Sequence, residues 1–426
     1  MISDIHLKNI SDLALLISNK SLSLQEVVDS SYEKINANED DIRAWKYLIP
    51  QKILKLPLIV GPLYGLCLGV KDIIATRDAP TAMGTREGTW QGTQGGFDAR
   101  VISKLRSSGA TIIGKNKTSE FAVHEPTDTV NPRNAELTPG TSSSGGAAAV
   151  AAGHIAVSIS SQTAGSIARP ASYCGVIGFK PTFGELPRTG VLKTTEAFDT
   201  IGIIGNTISN ISAVFSVARA NDLNHPIHLK RSSTKAEPVK FLHAIGPTFD
   251  SASEKTRRVA ISLASDLIGD QVLHDLAVET KIDFKNLRIA HEDIYAKELS
   301  YFLKEELGAG NISRRLREFG QYGEKMSMEN YREKFRFLNI QRGISNIELQ
   351  NSIIFALSAS DQAPKIGEPD LVDANLFWTS LGVPQVSLPL LKSDSGNPLG
   401  LSIIGYKGSD TRLLNLAQEF FSGMVS

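Results

Sequence analysis

The sequence predicts an α/β protein with a central, many-stranded mixed β-sheet covered by helices on both faces. Its 426 residues, 41% of them hydrophobic, are enough to bury a sizeable core. Apolar runs of strand length alternate with amphipathic helical stretches along the chain. No internal repeat or low-complexity linker interrupts this pattern. We therefore expect a single domain over residues 1–426.

Four sections make up this expected domain. Residues 1–60 form an N-terminal helical segment, in which residues 22–45 carry apolar side chains at helical spacing. Residues 61–206 contain three motifs, at 69–72, 138–153 and 162–184. Residues 207–345 are more polar, richer in Lys, Glu and Arg, and are expected to be variable and mostly helical. Residues 346–426 return to buried strands and end on a helix.

Apolar runs, and the residues that end helices and strands, predict the individual elements. Buried strands are expected at residues 66–74, where a charged pair interrupts the run, and at residues 154–160. Residues 98–115 predict a helix that ends at Gly109 and is followed by a short strand. The C-terminal section adds strands at 351–359 and 384–391 and a helix at 410–424.

Composition argues against several classes of partner. Lys and Arg together number 45, as do Asp and Glu, so no excess charge exists to hold nucleic acid or an anionic membrane. The N-terminus does not resemble a signal peptide, and the longest low-polarity stretch, 145–159, is too short to span a bilayer. Cys67 and Cys174 match no disulfide or metal framework. We expect a cytoplasmic protein that holds no metal and binds neither nucleic acid nor membrane.

One stretch imitates a phosphate-binding loop. Residues 109–117, GATIIGKNK, place Gly114 and Lys115 at the right distance from Gly109. However, Asn116 stands where Ser or Thr would ligate magnesium, and the interior of the stretch is a β-branched strand. We therefore expect no nucleotide cofactor.

A run of three serines opens the least bulky stretch of the chain. Residues 138–153 are TPGTSSSGGAAAVAAG, and the small side chains of residues 145–153 allow close approach from every side. This predicts a buried central helix. The unpaired backbone N–H groups at its start favour an anion or a developing oxyanion. The alternative is that one of the serines simply caps the helix.

A second motif follows the strand at residues 154–160. The sequence QTAGS at 162–166 predicts a tight turn whose successive N–H groups can point at one spot, with Ser166 at its tip. Alternatively, Ser166 caps the next helix. No GxSxG or HExxH pattern is present, so a nucleophile elbow and a zinc protease site are both excluded. The missing base could then be a lysine.

Three ordered motifs resemble those of the amidase signature family. They are GVKD at 69–72, TPGTSSSGGAAAVAAG at 138–153 and QTAGSIARPASYCGVIGFKPTFG at 162–184. Supporting matches are NPRN before the serine run, and LGVPQVSLPLL and GLSIIG near the C-terminus. The resemblance covers nearly the whole chain from about residue 60 and is weakest over 207–345. It implies the amidase-signature fold.

The resemblance also implies a Ser-cisSer-Lys triad. The Lys of GVKD is Lys71, and the nucleophile falls on Ser166. An ungapped count places the serine on the cis peptide bond at Ser142, 24 residues before Ser166, whereas a gap would place it at Ser143. The backbone N–H groups of the expected oxyanion hole belong to Thr163, Ala164, Gly165 and Ser166.

This chemistry requires an uncharged lysine. A serine hydroxyl is a poor nucleophile until a neighbour takes its proton, and a lysine can take it only when burial has lowered the pKa of its amine. The apolar run around Lys71 supplies such an environment. The alternative is a lysine at a surface strand end, paired with Asp72.

The chain departs from the family pattern around the second motif. Gln162 replaces the usual acid, and Ala164 replaces the first Gly of the pair. Ala168 replaces the usual Arg, with Arg169 one place later. A shift of one residue turns a helical side chain by about 100°, so a substrate contact inferred from that Arg does not carry over. Gln162 and Arg169 are kept as supporting residues.

We therefore expect a cofactor-free serine hydrolase that cleaves a carboxamide of a small molecule through an acyl-enzyme on Ser166. Ammonia or an amine would leave. Loops in 120–135 and 207–345 would supply the acyl pocket, and a homodimer is compatible with the sequence.

Two alternatives stand beside this expectation. The first is the glutaminase subunit of a tRNA-dependent amidotransferase, although residues 313–342 lack the Gly/Tyr-rich helix usual in such subunits. The second is a catalytically inactive binding or scaffold relative. The joint presence of Lys71, Ser142 and Ser166 argues against it.

Overall fold

A mixed β-sheet of eleven strands runs through the protein, as shown by a computed structural model that describes residues 4–85, 95–123, 125–219, 239–246, 248–249, 251–370 and 373–425. The strands are β1 (Trp45–Leu48), β2 (Cys67–Lys71), β3 (Thr111–Asn116), β4 (Val157–Gln162), β5 (Ile177–Lys180), β6 (Thr200–Gly205), β7 (Lys240–Ala244), β8 (Leu273–Asp275), β9 (Ser352–Leu357), β10 (Gln385–Lys392) and β11 (Pro398–Ile404). Their order across the sheet is β1-β3-β2-β4-β6-β5-β10-β11-β9-β7-β8. The predicted fold class is confirmed.

Helices cover this sheet on both faces. They are α1 (Ile10–Ser18), α2 (Leu24–Ile42), α3 (Arg100–Ser107), α4 (Ser144–Ala151), α5 (Ala168–Cys174), α6 (Ile208–Ala218), α7 (Glu254–Ile268), α8 (Leu276–Glu279), α9 (Phe284–Phe302), α10 (Lys304–Ala309), α11 (Arg314–Lys325), α12 (Met328–Glu348), α13 (Asn375–Leu381) and α14 (Asp410–Val425).

The side chains of β9 alternate between two hydrophobic clusters. Ile353 and Phe355 pack with residues of α1 to α7 and α14, whereas Ile354 and Ala356 pack with residues of α9 and α11 to α13.

The pairing of the strands explains how distant motifs meet. β2 is parallel to β3 and β4, so the carboxyl ends of these strands lie at one edge of the sheet. β4 then pairs antiparallel with β6, and β5 pairs antiparallel with both β6 and β10. The last two strands of the chain, β10 and β11, thus complete the middle of the sheet.

Most predicted elements are present at nearly the expected bounds. The helix expected at 22–45 is α2, which begins with a capping box formed by Ser23 and Glu26. The helix expected to end at Gly109 is α3, and Gly109 has a φ of 92°. The stretches 66–74 and 351–359 contain β2 and β9, and the stretches 384–391 and 410–424 match β10 and α14 to within one residue at each end.

The section from 207 to 345 is mostly helical, but it also includes two short strands that the sequence did not predict. It contains α6 to α12 but also β7 and β8, which form one edge of the sheet. These strands have five and three residues and include exposed or half-exposed polar side chains, so no apolar run marked them. Residues 220–238 of this section lie outside the described residues.

The predicted buried central helix is α4. A Cβ atom on Gly145 would lie 2.4 Å from both the Ala44 carbonyl oxygen and the Lys117 nitrogen. A Cβ atom on Gly146 would lie 2.6 Å from Ser158 Oγ. Glycine is therefore required here by the close approach of neighbouring backbone and side chains.

Two further sequence expectations concern cysteines and membranes. Cys67 and Cys174 are both buried with free thiols. No helix of the described residues is long and apolar enough to cross a bilayer.

Candidate active site

Lys71, the last residue of β2, lies among serine hydroxyls with only 1% of its surface exposed. Its Nζ atom is 2.6 Å from Ser142 Oγ, and 3.0 Å from the Oγ atoms of both Ser143 and Ser161. Burial lowers the pKa of the Lys71 amine to about 7, although the negative charge of Asp199 acts in the opposite direction. A substantial fraction of this amine is therefore uncharged at neutral pH.

The alternative position for Lys71, a surface strand end paired with Asp72, is wrong. Both residues are buried, and the Asp72 carboxylate pairs instead with Lys115, whose Nζ lies 3.5 Å from Oδ1. The same carboxylate accepts hydrogen bonds from the backbone N–H groups of Ala82 and Gly84, each at 3.2 Å. Asp72 thus anchors the segment that follows β2.

The three serines at the start of α4 do not cap it. Ser143 occupies the N-cap position without a capping hydrogen bond from its side chain. The Ser144 hydroxyl lies 2.9 Å from that of Thr127. The carbonyl oxygen of Ser142 accepts a hydrogen bond of 2.6 Å from the hydroxyl of Thr118. Ser142 and Ser143 therefore direct their hydroxyls to Lys71 rather than to the helix.

The cis peptide bond implied by the family resemblance is not found. Within the described residues every peptide bond is trans, including those of Ser142 and Ser143. The expectation of a cis bond was therefore wrong for this structure. Ser142 contacts Lys71 although its peptide bonds are trans. The Ser142 Oγ atom is 0.4 Å closer to Lys71 Nζ than the Ser143 Oγ atom is, so Ser142 is the better candidate for the partner of the lysine.

Gln162 organises the turn that carries Ser166. Its Oε1 atom accepts the backbone N–H groups of Ile167 at 2.8 Å and Ala168 at 3.1 Å, and so caps α5. Its Nε2 atom donates to the hydroxyl of Thr379, on α13, at 3.0 Å. The alternative in which Ser166 caps this helix is wrong, because no capping bond comes from it.

The turn itself presents a row of amide donors. Within the described part of the chain, the N–H groups of Ala164, Gly165 and Ser166 have no hydrogen-bond acceptor. The Thr163 hydroxyl donates to the carboxylate of Asp199 at 2.7 Å and fixes the beginning of the turn. Such a row of unpaired N–H groups suits an oxyanion.

Ser166 is half-buried at this turn, and its hydroxyl makes no hydrogen bond to any residue that the structure describes. The structure therefore joins Lys71 to Ser142 but does not join Ser142 to Ser166. The segment that carries Ser142 is close to the segment that carries Ser166 at two points. Gly140 packs against Pro170 so closely that an added Cβ would lie 2.8 Å from Pro170 Cβ. Asp370 contacts both Thr141 and Arg169.

Arg169 lies behind the turn, in a buried cluster of charges. Its Nε and Nη1 atoms lie 3.2 Å from Asp370 and 3.0 Å from Asp373, and it is 8% exposed. Burial alone would lower the pKa of the Arg169 guanidinium, but the two carboxylates raise it overall. Its Nη1 atom would be 3.0 Å from a Cβ atom on Gly165, so it supports the turn from behind.

Two pockets adjoin these groups. One pocket lies beside Ser161, Thr163 and Asp199, and its lining combines apolar side chains with the cations Arg188 and Lys193. A second pocket lies beside Thr141 and contains side chains of both charges. Its lining includes Pro126, Thr127 and Thr129 from the stretch 120–135 and Arg315 from the stretch 207–345, together with Thr138, Glu368 and Asp370.

The family of the chain follows from its similarity to known proteins. The sequence profile named Amidase matches residues 26–306, about two thirds of the chain. The chain belongs to the Amidase family. Members of this family act on amide C–N bonds, and this chain is an enzyme of that class.

Individual members of the Amidase family resemble the chain over nearly its whole length. A glutamyl-tRNA(Gln) amidotransferase subunit from Bacillus licheniformis is 27% identical, with 96% of each chain covered. The crystal structure of the corresponding amidotransferase subunit from Thermotoga maritima superimposes with a TM-score of 0.79 at 23% identity, covering 97% of this chain and 94% of that one. The peptide amidase of Stenotrophomonas maltophilia gives 0.76 at 20% identity, covering 98% and 97%.

Several site residues escaped the sequence analysis. Ser161 contacts Lys71, Asp199 fixes Thr163, His291 on α9 contacts the Thr163 carbonyl, and Thr379 contacts Gln162. Asp199, His291 and Thr379 come from stretches without a motif, so only the fold reveals them. Ser161 could have been found, because it directly precedes QTAGS on a buried strand.

Proposed function

We propose that the chain hydrolyses a carboxamide through an acyl-enzyme on Ser166, with Ser142 relaying a proton to Lys71. The observation that carries this proposal is the contact of 2.6 Å between Lys71 Nζ and Ser142 Oγ inside a buried site. An amine with a pKa near 7 can accept a proton at neutral pH and return it later.

The reaction balances with these groups alone. Ser166 Oγ attacks the carbonyl carbon, its proton passes to Ser142 Oγ, and the Ser142 proton passes to Lys71 Nζ. The C–N bond then breaks, and the protonated Lys71 returns a proton through Ser142 to the leaving nitrogen. Water attacks the resulting ester, and its proton follows the same route. The acid is released and Ser166 regains its hydroxyl.

The amide row of the turn supports the stabilisation step. The tetrahedral intermediate carries a negative oxygen, and the N–H groups of Thr163, Ala164, Gly165 and Ser166 are proposed to bind it. Loss of a single such donor typically costs about 10² to 10³ in rate. The absence of protein acceptors for the N–H groups of 164–166, within the described residues, agrees with this role.

The test compares wild type with Ser166→Ala in a library of amides, scoring ammonia release. Activity that survives the substitution would exclude Ser166 as the nucleophile. Labelling by a fluorophosphonate probe, followed by peptide mapping, should place the adduct on Ser166. A folded wild type that does not label would favour the alternative of an inactive relative.

For the substrate, we propose an amino acid amide such as glutamine, with the chain serving as one subunit of an amidotransferase. This reverses the order of preference drawn from the sequence. Relatives named as subunits of a glutamyl-tRNA(Gln) amidotransferase align over 96% of the chain. The pocket beside Thr141 also supplies a cation, Arg315, and the acids Glu368 and Asp370, which suit a zwitterion.

A small-molecule amide remains the second candidate. It is favoured by the region of α11 and α12, where SRRLREFGQYGEKMSMENYREKFRFLNIQR replaces the Gly/Tyr-rich helix usual in amidotransferase subunits. Glutamine hydrolysis, measured with and without the partner subunits of an amidotransferase, separates the two. Arg315→Ala should raise KM for glutamine but leave an uncharged amide unaffected. Hydrolysis of uncharged amides alone would support the second candidate.

A further inference from the structure

The carbonyl groups of the turn before Ser166 each have a donor. The Thr163 carbonyl accepts from His291 Nε2 at 2.9 Å, and the Ala164 carbonyl accepts from Thr379 Oγ1 at 2.7 Å. The Gly165 carbonyl accepts from the backbone N–H of Arg169, in the first turn of α5, at 3.0 Å. Three consecutive peptide planes are thus held from outside.

Because each peptide unit is planar, a hydrogen bond at its carbonyl also sets the direction of its N–H group. In a planar trans peptide the carbonyl of one residue and the N–H of the next point in opposite directions. The bond to His291 therefore turns the N–H of Ala164 away from α9. The bond to Thr379 turns the N–H of Gly165 away from α13. Both N–H groups then face the side of the turn where no described residue accepts them.

The hydroxyl of Thr379 has a defined direction. It carries one proton, and the distance of 2.7 Å to the Ala164 carbonyl is shorter than the 3.2 Å to the Asn375 carbonyl in its own helix. Its lone pair accepts from Gln162 Nε2 at 3.0 Å. Gln162 Oε1 must face the two N–H groups at the start of α5, so its amide orientation is fixed as well.

The ring of His291 is equally constrained. A carbonyl oxygen only accepts hydrogen bonds, so Nε2 must carry a proton and donate it to Thr163. The ring stacks on Phe198 with centroids 4.4 Å apart, and the residue is 2% exposed. His291 therefore holds its peptide plane with little freedom to rotate.

We infer that His291 and Thr379 are positioning residues that aim the N–H groups of Ala164 and Gly165 at the oxyanion. This inference rests on the proposed function, since it assigns a purpose to a turn that is proposed to bind the intermediate. Neither residue is expected to touch the substrate. Their loss should slow the covalent step while leaving the formation of the initial complex nearly intact.

The experiment follows the inactivation of the full chain by a fluorophosphonate probe, separating the maximal rate from the half-saturating concentration. Thr379→Val removes the donor with little change in shape and should lower the maximal rate about 10- to 100-fold. The half-saturating concentration should change by less than about threefold, and Thr379→Ser should recover most of the rate. His291→Phe keeps a ring that can stack and should act like Thr379→Val, with partial recovery in His291→Gln.

A neighbouring residue supplies the matched control. Ser380 is also fully buried on α13, but its hydroxyl donates at 2.7 Å to the Leu376 carbonyl within the helix. Ser380→Ala therefore removes a buried hydroxyl without affecting the turn, and it should leave the maximal rate unchanged. An equal loss in Ser380→Ala and Thr379→Val would mean a structural role only and would overturn the inference.

The remaining outcomes are also decisive. Maximal rates within threefold of wild type in both Thr379→Val and His291→Phe would overturn the inference. If Thr379→Val does not fold, as judged by circular dichroism, the pair His291→Phe and His291→Gln decides. Ser166→Ala is measured in parallel. If the probe still labels Ser166→Ala, the proposed function is wrong. If Ser166→Ala is not labelled but Thr379→Val is labelled at the wild-type rate, only the positioning role is wrong.

Discussion

Lys115 Nζ lies 3.5 Å from Oδ1 of Asp72, so the acid that directly follows Lys71 has another lysine as its counter-ion. The side chains of Asp72 and Lys115 are both inaccessible to solvent. Lys71 therefore keeps no adjacent carboxylate to hold its proton. Burial is the larger influence on its pKa and the charge of Asp199 the smaller.

The first prediction concerns pH. Below a pKa of about 7 the Lys71 amine is protonated and cannot act as a base, so kcat/KM should rise through pH 7 and level off at alkaline pH. Lys71→Met should lower kcat/KM by about 10² to 10⁴. Initial rates between pH 5 and pH 9 are the measurement. A profile that is flat across this range would contradict the role of Lys71.

The second prediction separates two neighbouring serines. Ser142 Oγ is 2.6 Å from Lys71 Nζ and Ser143 Oγ is 3.0 Å away. Ser142→Ala breaks the proposed relay and should cost about 10² to 10⁴ in kcat/KM. Ser143→Ala removes one supporting hydrogen bond and should cost less than about tenfold. Steady-state kinetics of both variants decide the point, and the reverse order would assign the relay to Ser143.

The third prediction concerns the close packing of α4. Gly145→Ala places a methyl group 2.4 Å from two backbone atoms, and it should destabilise the fold by about 1–3 kcal/mol or more. Gly343 lies inside α12, and apart from its chain neighbours and the backbone of its own helix no atom is within 4 Å of an added Cβ, so Gly343→Ala should stabilise by about 0.5–1 kcal/mol. Urea unfolding of the two variants should show midpoints shifted in opposite directions.

The fourth prediction concerns the charges behind the turn. Asp373→Asn leaves Arg169 buried with one partner fewer, which should lower the free energy of unfolding by about 3–5 kcal/mol. Lys255→Ala removes a pair with Asp394 in which both side chains are mainly exposed, and it should leave the midpoint unchanged. Thermal unfolding measures both. Equal midpoints for the two variants would show that the buried cluster does not support the fold.

Local patterns in the sequence were enough to predict much of the fold. Apolar runs and turn residues predicted α2, β2, α3 and β9, because each combines a clear period with a recognisable end. The short edge strands β7 and β8 were missed, since pairing with β9 and not their own composition makes them strands.

In the site, too, local sequence patterns predicted some residues, whereas others depend on contacts between distant parts of the chain. Lys71, Ser142 and Ser166 lie in motifs, and the first two meet as expected. Gln162 was visible only as a departure from a pattern, and its capping of α5 required the structure. Contacts between helices far apart in the chain brought His291 and Thr379 to the turn, and no local pattern encodes such contacts.

The central place of β10 in the sheet has a consequence for synthesis. β10 pairs with β5 on one side and β11 on the other, so a ribosome must pass residue 404 before the sheet can close. A product that stops before β10 leaves β5 with an open edge, and without β11 the edge of β9 is open as well; both favour association with other chains. Premature termination near the C-terminus should therefore yield aggregates, with no partly working enzyme among them.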